Sequence, residues 1–302
     1  MNVKIWLRLL GTGALLCSTL GHAADLRFAV ATPRSSFDLR FAVVTPRGPL
    51  EAQKWQALTA YMSQSVGKSI ELVPLSGSKI DEAVASNEVD LILVAPSIAV
   101  VVMEKFGAKP LATMSENGTT KLAGVIISKK GSAINKAADL KGKSVLGFNF
   151  GVSAAAWAFQ TYHVMLKGVD PTEFGSFTEA KKQDYIPLAV KAGVVDVGFI
   201  KSELLESMQK EGKISMDDFI IVDEKKDEFP FVHSTILYPG WFMLATKKMP
   251  DELAVKIKKA VLDLKSSDEA TKQAGIDGFV EPISLDGMKT VLKALKAAPY
   301  AN

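Results

Sequence analysis

The 302-residue chain is 48% hydrophobic and 23% charged, the balance of an ordinary globular protein with no disordered tail. Its formal charge is +3, and about +1 without residues 1–23, which is near neutral and argues against a nucleic-acid or anionic-membrane binder. A single Cys excludes a disulfide-stapled scaffold.

The first residues read as a signal peptide over 1–23. Lys4 and Arg8 precede an apolar run from Leu9 to Leu20, followed by the small residues of a cleavage site, Gly21 to Ala24. Cys17 lies inside the apolar run after Leu15 and Leu16, which does not fit a lipoprotein anchor. Removing the leader leaves 36 − 2 = 34 basic against 33 acidic residues and no Cys. The expected location is therefore the periplasm, reached through a cleavable leader. The most apolar later stretch, Leu91 to Met103, is interrupted by Pro96 and Ser97 and is too short to span a bilayer.

The segment DLRFAVATPR (Asp25 to Arg34) recurs as DLRFAVVTPR (Asp38 to Arg47). Only the second copy continues through Gly48-Pro49 into a helical pattern, so Asp38 to Val44 is the predicted first strand. Residues 24–37 are then an extra segment, loosely attached or competing for the same slot. The helix after Pro49 carries Trp55, Leu58 and Val66 on one face and stops at Gly67. Strands are predicted at Ser69 to Leu75 and Asp90 to Ala95, with helices from Ser78 to Asn87 and from Pro96 toward Gly107. This alternation predicts βαβ units and a mostly parallel sheet, whose ligands sit beyond the strands' carboxyl ends. The loops there are Thr45 to Gly48 and Ala95 to Ser97.

A second alternating series begins with a strand over Leu122 to Ser128. Then Asp139 to Lys167 reads as a polar turn, a strand over Ser144 to Phe148, a loop with Gly151 and Ser153, and an Ala-rich helix. A strand that ends in a Gly/Ser loop and feeds a helix leaves backbone N–H groups unpaired, a cradle for an anion. The plainer reading is that Ser153 caps the helix. A helix is predicted over Glu179 to Ala192, kinked or restarted by Pro187, and a strand over Val194 to Ile200. A helix Ser202 to Glu211, strands Phe219 to Val222 and Tyr238 to Thr246, and helices Asp251 to Lys265 and Leu285 to Lys296 complete the pattern.

Three runs in order and spacing carry a resemblance: DLKGK at 139–143, Ala189-Val190-x-x-Gly193-x-x-Asp196, and His233-Ser234-Thr235 with Tyr238-Pro239-Gly240-Trp241. The chain from Asp38 onward resembles the periplasmic phosphate/phosphite/phosphonate-binding proteins (PhnD-like) and the related sensor domains of tetrathionate-type histidine kinases. The resemblance implies an α/β, type II periplasmic-binding-protein fold, two lobes joined by crossing hinge strands. Lobe one would be 38–123 and 243–302, lobe two 124–242, with hinges near Gly124 and Trp241 to Met243. It also implies a small anionic ligand, and as partner an inner-membrane ABC permease or a sensor kinase. The protein is expected to act as a monomer without cofactor or metal.

In the family that the chain resembles, a Ser/Thr/Ser/Gly cluster holds the oxyanion. The matching stretch here, Phe150 to Ala155, keeps one hydroxyl, Ser153, beside Gly151. Gln183-Asp184 stands where the family often has His-Asp, and Ile236 where the sensor relatives carry Arg, which removes charged donors. Arg47 and Lys201 remain as cations for the site or as solvated surface charges, and Ser97 as a ligand or a helix cap. Tyr238 and Trp241 are expected to line the cleft, and Trp157 and Tyr162 the core. An enzyme is not expected. After the leader the only His are His163 and His233, without metal-ligand spacing, and no Gly-x-Ser-x-Gly elbow or Walker loop occurs.

Overall fold

The computed structural model describes residues 37–45 and 49–301. The expected signal peptide, the first copy of the repeated segment and Arg47 lie outside the described residues.

The first lobe is built on a six-stranded sheet. Its strands are β1 (Leu39–Val44), β2 (Ile70–Leu75), β3 (Leu91–Val94), β4 (Lys109–Ser115), β12 (Phe242–Ala245) and β13 (Gly278–Val280), in the order β13-β4-β12-β3-β1-β2. β1 is parallel to both its neighbours, whereas β12 and β13 pair antiparallel, so this sheet is mixed rather than mostly parallel. The alternation of side chains along β1 separates two cores. Phe41 and Val43 face Trp55, Leu58 and Met62, while Ala42 and Val44 face Ile80, Val84 and Ile98. Being covered on both faces explains the unbroken apolar run of β3, all four residues of which are buried. Pro74 sits in β2 at the sheet edge, where a missing N–H disrupts no ladder.

The helices of this lobe end where their sequence says they should. After a 3₁₀ segment (Pro49–Trp55), α1 (Gln56–Val66) stops at Gly67, φ +64°. α2 spans Ile80–Ala85, and α3 (Pro96–Phe106) opens with Pro and stops at Gly107, φ +68°.

The second lobe holds a five-stranded sheet of β6 (Gly124–Lys129), β7 (Ser144–Gly147), β8 (Ser176–Glu179), β9 (Val197–Lys201) and β10 (Phe219–Ile221), ordered β10-β6-β9-β7-β8. Its helices are α4 (Phe159–Leu166), α5 (Tyr185–Ala192) and α6 (Leu204–Lys210). α7 (Asp251–Leu262), α8 (Glu269–Ala274) and α9 (Asp286–Ala294) return to the first lobe.

Two strands expected to be continuous are broken where the chain passes between the sheets. Leu122 to Ser128 divides into β5 (Lys121–Leu122) and β6, and Tyr238 to Thr246 into β11 (Tyr238–Pro239) and β12. β5 and β11 pair with each other, and Gly240 donates its N–H to the Thr120 carbonyl at 2.7 Å. A Cβ at Gly240 would lie 3.1 Å from that oxygen, which gives the break its Gly. The helix expected from Glu179 begins only at Tyr185, and Pro187 occupies its third position. No hydrogen bond is lost there, because the first-turn N–H groups have no intrahelical partner, and so Pro187 causes no kink.

The Ala-rich segment opens as one wide turn, Ala154–Ala158, in which the Ala158 N–H reaches back to the Ser153 carbonyl at 3.2 Å. Ala154, Ala155, Ala158 and Phe159 belong to the core shared with Val94, Ile98 and Phe242 of the first lobe. Small side chains let the two lobes approach closely here.

Candidate functional site

A cleft of about 540 Å³ lies between the lobes, lined from both sides by residues that follow the carboxyl ends of strands. Val44 ends β1 and Thr45 follows it, Ser76 and Gly77 follow β2, and Ala95 follows β3. Phe148 and Asn149 follow β7, and Ser202 and Glu203 follow β9.

Ser153 lines this cleft. Its Oγ accepts the Ala156 N–H at 3.2 Å, so the hydroxyl caps the wide turn and still has its own hydrogen to donate. Gly151, with φ +78°, does not line the cleft; it shapes the turn after Asn149 (φ +52°) that delivers Val152 and Ser153. Gln183 is in the wall, its Oε1 accepting the Lys201 N–H at 3.3 Å, which leaves Nε2 as its donor. Lys201 is in the wall as well, but its Nζ stands 3.4 Å from Glu203 Oε2 and is partly neutralised.

Ser97 is placed differently from a ligand-facing residue. It is buried, and its Oγ donates to the Val152 carbonyl at 2.6 Å, joining the first lobe to the second. Tyr238 is buried in the core, its ring stacked on Phe159 with centroids 3.9 Å apart, and burial pushes its hydroxyl well above the usual phenol range. Of the expected Tyr238 to Trp241 wall, Gly240 and Trp241 line the cleft. Ile236 is exposed and outside it.

The structure adds residues that the sequence did not single out. Glu116, Asn117 and Glu203 meet at one end of the cleft, where Asn117 Nδ2 donates to Glu203 Oε1 at 3.0 Å. Asn117 (φ +53°) and Glu203 (φ +76°) both hold left-handed backbone, a conformation that for Glu carries strain. Burial, with the neighbouring Glu203 charge, pushes the Glu116 carboxyl above the ordinary carboxylate range, against the opposing pull of Lys201 and Lys54. These residues sit on isolated turns with no motif around them, so no sequence signal marked them.

The charges nearly cancel. Five Lys (54, 121, 182, 201 and 213) and four carboxylates (Glu51, Glu116, Asp184 and Glu203) line the cleft among the described residues. The described lining therefore offers individually placed donors rather than a strongly positive field. Among the described residues there is no group of His, Cys, Asp and Glu suited to a metal, and no helix long and apolar enough to cross a membrane.

Comparison with known proteins agrees with this geometry. A protein of Xanthomonas citri determined with bound ATP superimposes with a TM-score of 0.72 at 14% identity, over 85% of this chain and 98% of that one. PhnD1 from Prochlorococcus marinus in complex with methylphosphonate gives 0.68 at 13% identity, over 85% and 98%. A binding protein component of an ABC phosphonate transporter from Pseudomonas aeruginosa gives 0.68 at 16%, over 84% of each chain. At these identities the likeness shows the shared two-lobed fold. In sequence, the chain is 26% identical over 227 residues to the tetrathionate sensor histidine kinase TtrS of Salmonella typhimurium, a match that takes in 69% of this chain and 36% of that kinase. The family model for the phosphonate ABC transporter's periplasmic substrate-binding protein matches residues 41–284, which takes in both sheets and every described wall of the cleft. A two-lobed fold with its cleft at the strand ends, matched over that length, identifies the chain as a member of the phosphonate ABC transporter periplasmic substrate-binding protein family.

Proposed function

We propose that the chain is an exported solute-binding protein that captures an oxyanion-bearing ligand in the interlobe cleft and presents it to an ABC-type permease. The lobes would be 38–123 with 243–302, and 124–242, closing on the ligand by hinge rotation. One observation carries the reading. Ser153 caps the wide turn with its O–H hydrogen still free to donate, and Ala154 and Ala155, the first residues of that turn, line the same cleft. First-turn amides have no intrahelical acceptor, so these donors suit an anion. Gln183 Nε2 and Lys201 would complete the set, with Arg47 a further candidate cation from the loop after β1. The site needs no bond-making chemistry, and the chain is read as a binder rather than an enzyme.

A thermal-shift screen of the mature chain tests this, using phosphate, phosphite, methylphosphonate, sulfate, thiosulfate and tetrathionate with amino acids as controls. A ligand at a hundred times its Kd adds about 2.7 kcal/mol of stability and a clear rise in Tm. Response to an amino acid with silence across all oxyanions would refute the oxyanion reading.

The kinase relative supports a second reading, in which the closed form is presented to a separate membrane histidine kinase. Copurification of the ligand-loaded chain with such a kinase, and not with a permease, would favour it.

A further inference from the structure

We infer that the first copy of the repeated segment, Asp25 to Arg34, is a second occupant for the place of β1, so that the chain folds in two registers thirteen residues apart. The major register puts Leu39–Val44 in the sheet, and the minor register puts 26–31 there.

The place of β1 accepts few sequences. It lies inside the sheet between β2 and β3, and Phe41, Ala42 and Val43 are fully buried in it. Its polar contacts are as specific. The Arg40 N–H donates to Asp90 Oδ2 at 2.8 Å, the Arg40 Nε donates to Glu71 Oε2 at 2.9 Å, and Asp38 Oδ2 accepts the Ser69 N–H at 2.9 Å. A segment that takes this place must bring Asp-Leu-Arg-Phe-Ala-Val in that order. Residues 25–30 bring all six, and the Thr-Pro-Arg that leaves the strand recurs as Thr32-Pro33-Arg34. The one difference between the copies is Ala31 for Val44.

Magnitudes rank the two registers. Val44 is buried in the core with Ile80, Val84 and Ile98, and Ala31 lacks its two methyl groups. At about fourfold each, their loss disfavours the first copy roughly 15-fold. The connection from the strand to Pro49 also lengthens by thirteen residues, which adds roughly tenfold in closure entropy. The second copy is therefore favoured by roughly 100-fold, and the first is a minor state.

Exchange alters the cleft as well. Val44, Thr45 and Glu51 line it. In the minor register Ala31 and Thr32 take the places of Val44 and Thr45, Arg34 takes that of Arg47, and 35–48 become a loop between Thr32 and Glu51 beside the cleft. A ligand that binds one register better shifts the balance toward it.

Urea denaturation and amide hydrogen exchange of the mature chain, of Phe28→Asp, of Phe41→Asp and of the double variant test the inference. An unpaired carboxylate in place of a fully buried ring closes the register that carries it. Phe28→Asp should leave stability unchanged. Phe41→Asp should still fold cooperatively, with an unfolding constant roughly 100-fold larger and its slowly exchanging amides moved from 39–44 to 26–31. The double variant should not fold. Equal stability of Phe41→Asp and the double variant overturns the inference, as does a folded Phe41→Asp whose protection stays at 39–44. A loss of stability in Phe28→Asp alone also overturns it, because the first copy would then hold a place of its own.

Discussion

Gly124, the first residue of β6, is a position where one added methyl group should be costly. A Cβ built there would lie 2.6 Å from Gln160 Cδ and 2.8 Å from its Nε2, distances that no packed pair adopts. Gln160 is fully buried, and its amide reaches the carbonyls of Ala155 (2.7 Å), Ile200 (2.7 Å) and Val125 (3.3 Å). Its Oε1 is buried without a partner. Gly124→Ala must displace that amide. Two good hydrogen bonds at about 1 kcal/mol each, with about 1 to 3 kcal/mol for polar groups left buried and unsatisfied, give a loss of about 3 to 5 kcal/mol. Urea denaturation of Gly124→Ala, Gln160→Ala and the double variant provides the measurement. The two losses should not add: once Gln160 is gone, the methyl group has room, and the double variant should be only slightly less stable than Gln160→Ala. A coupling of about 3 kcal/mol is expected. Full additivity, or a Gly124→Ala loss under about 1 kcal/mol with unchanged m-value, would refute the argument.

Three other outcomes follow from the geometry. Glu116, whose carboxyl is raised by burial and by Glu203, repels a bound anion while ionised. Oxyanion affinity should therefore rise as pH falls from neutral toward that raised value, and Glu116→Gln should flatten the profile and tighten binding at neutral pH by up to about 1 kcal/mol; weaker binding in this variant would refute the repulsion. Ser97→Ala removes the cross-lobe bond to Val152 and should weaken ligand binding about fivefold, the equivalent of about 1 kcal/mol, as read by calorimetry. Asp196 accepts the Ser144 N–H at 2.8 Å and its hydroxyl at 2.7 Å, which together hold the carboxyl below its ordinary value. Its contribution is present above the unfolded-state pKa and is lost as pH falls through the depressed native one. Asp196→Ala should lower Tm at pH 7 and show a shallower acid loss, measured between pH 7 and pH 3.

The sequence made the periodic elements and their stops readable, because burial on two faces leaves continuous apolar runs and Gly marks helix ends, as at β3, Gly67 and Gly107. It hid what depends on chain crossings. β5 and β6 read as one strand, and β11 and β12 as another, since the apolar pattern runs on from Leu122 and from Tyr238 and only the change of sheet at Ala123 and at Gly240-Trp241 separates them. β4, β8 and β13 were missed for a related reason: β8 is largely exposed and β13 is three residues long, so neither shows a clean alternation. In the site, Ser153 was legible from its strand-to-helix context, and the structure puts it in the cleft wall. Ser97 carried the same kind of signal and Tyr238 stood in the family-like run, yet the Ser97 hydroxyl serves a lobe contact and the Tyr238 ring a core stack, and nothing in one dimension distinguishes those uses. Glu116 and Glu203 stand 87 residues apart in sequence, and only folding brings them into one electrostatic group.

The pairing of β5 with β11 has a mechanical consequence. The two lengths of chain that run between the sheets are hydrogen-bonded to each other, Leu122 beside Tyr238 and Lys121 beside Pro239. In the proposed lobe closure, neither could twist without turning the other, and the pair would act as the pin of a door. Displacement then grows with distance from the pin. Side chains at the pin stay nearly fixed through the swing, while the far rims sweep the longest arc. A membrane partner that touches both rims would therefore read a single angle as a large change in their spacing, and a small rearrangement around the ligand becomes a signal legible at the surface.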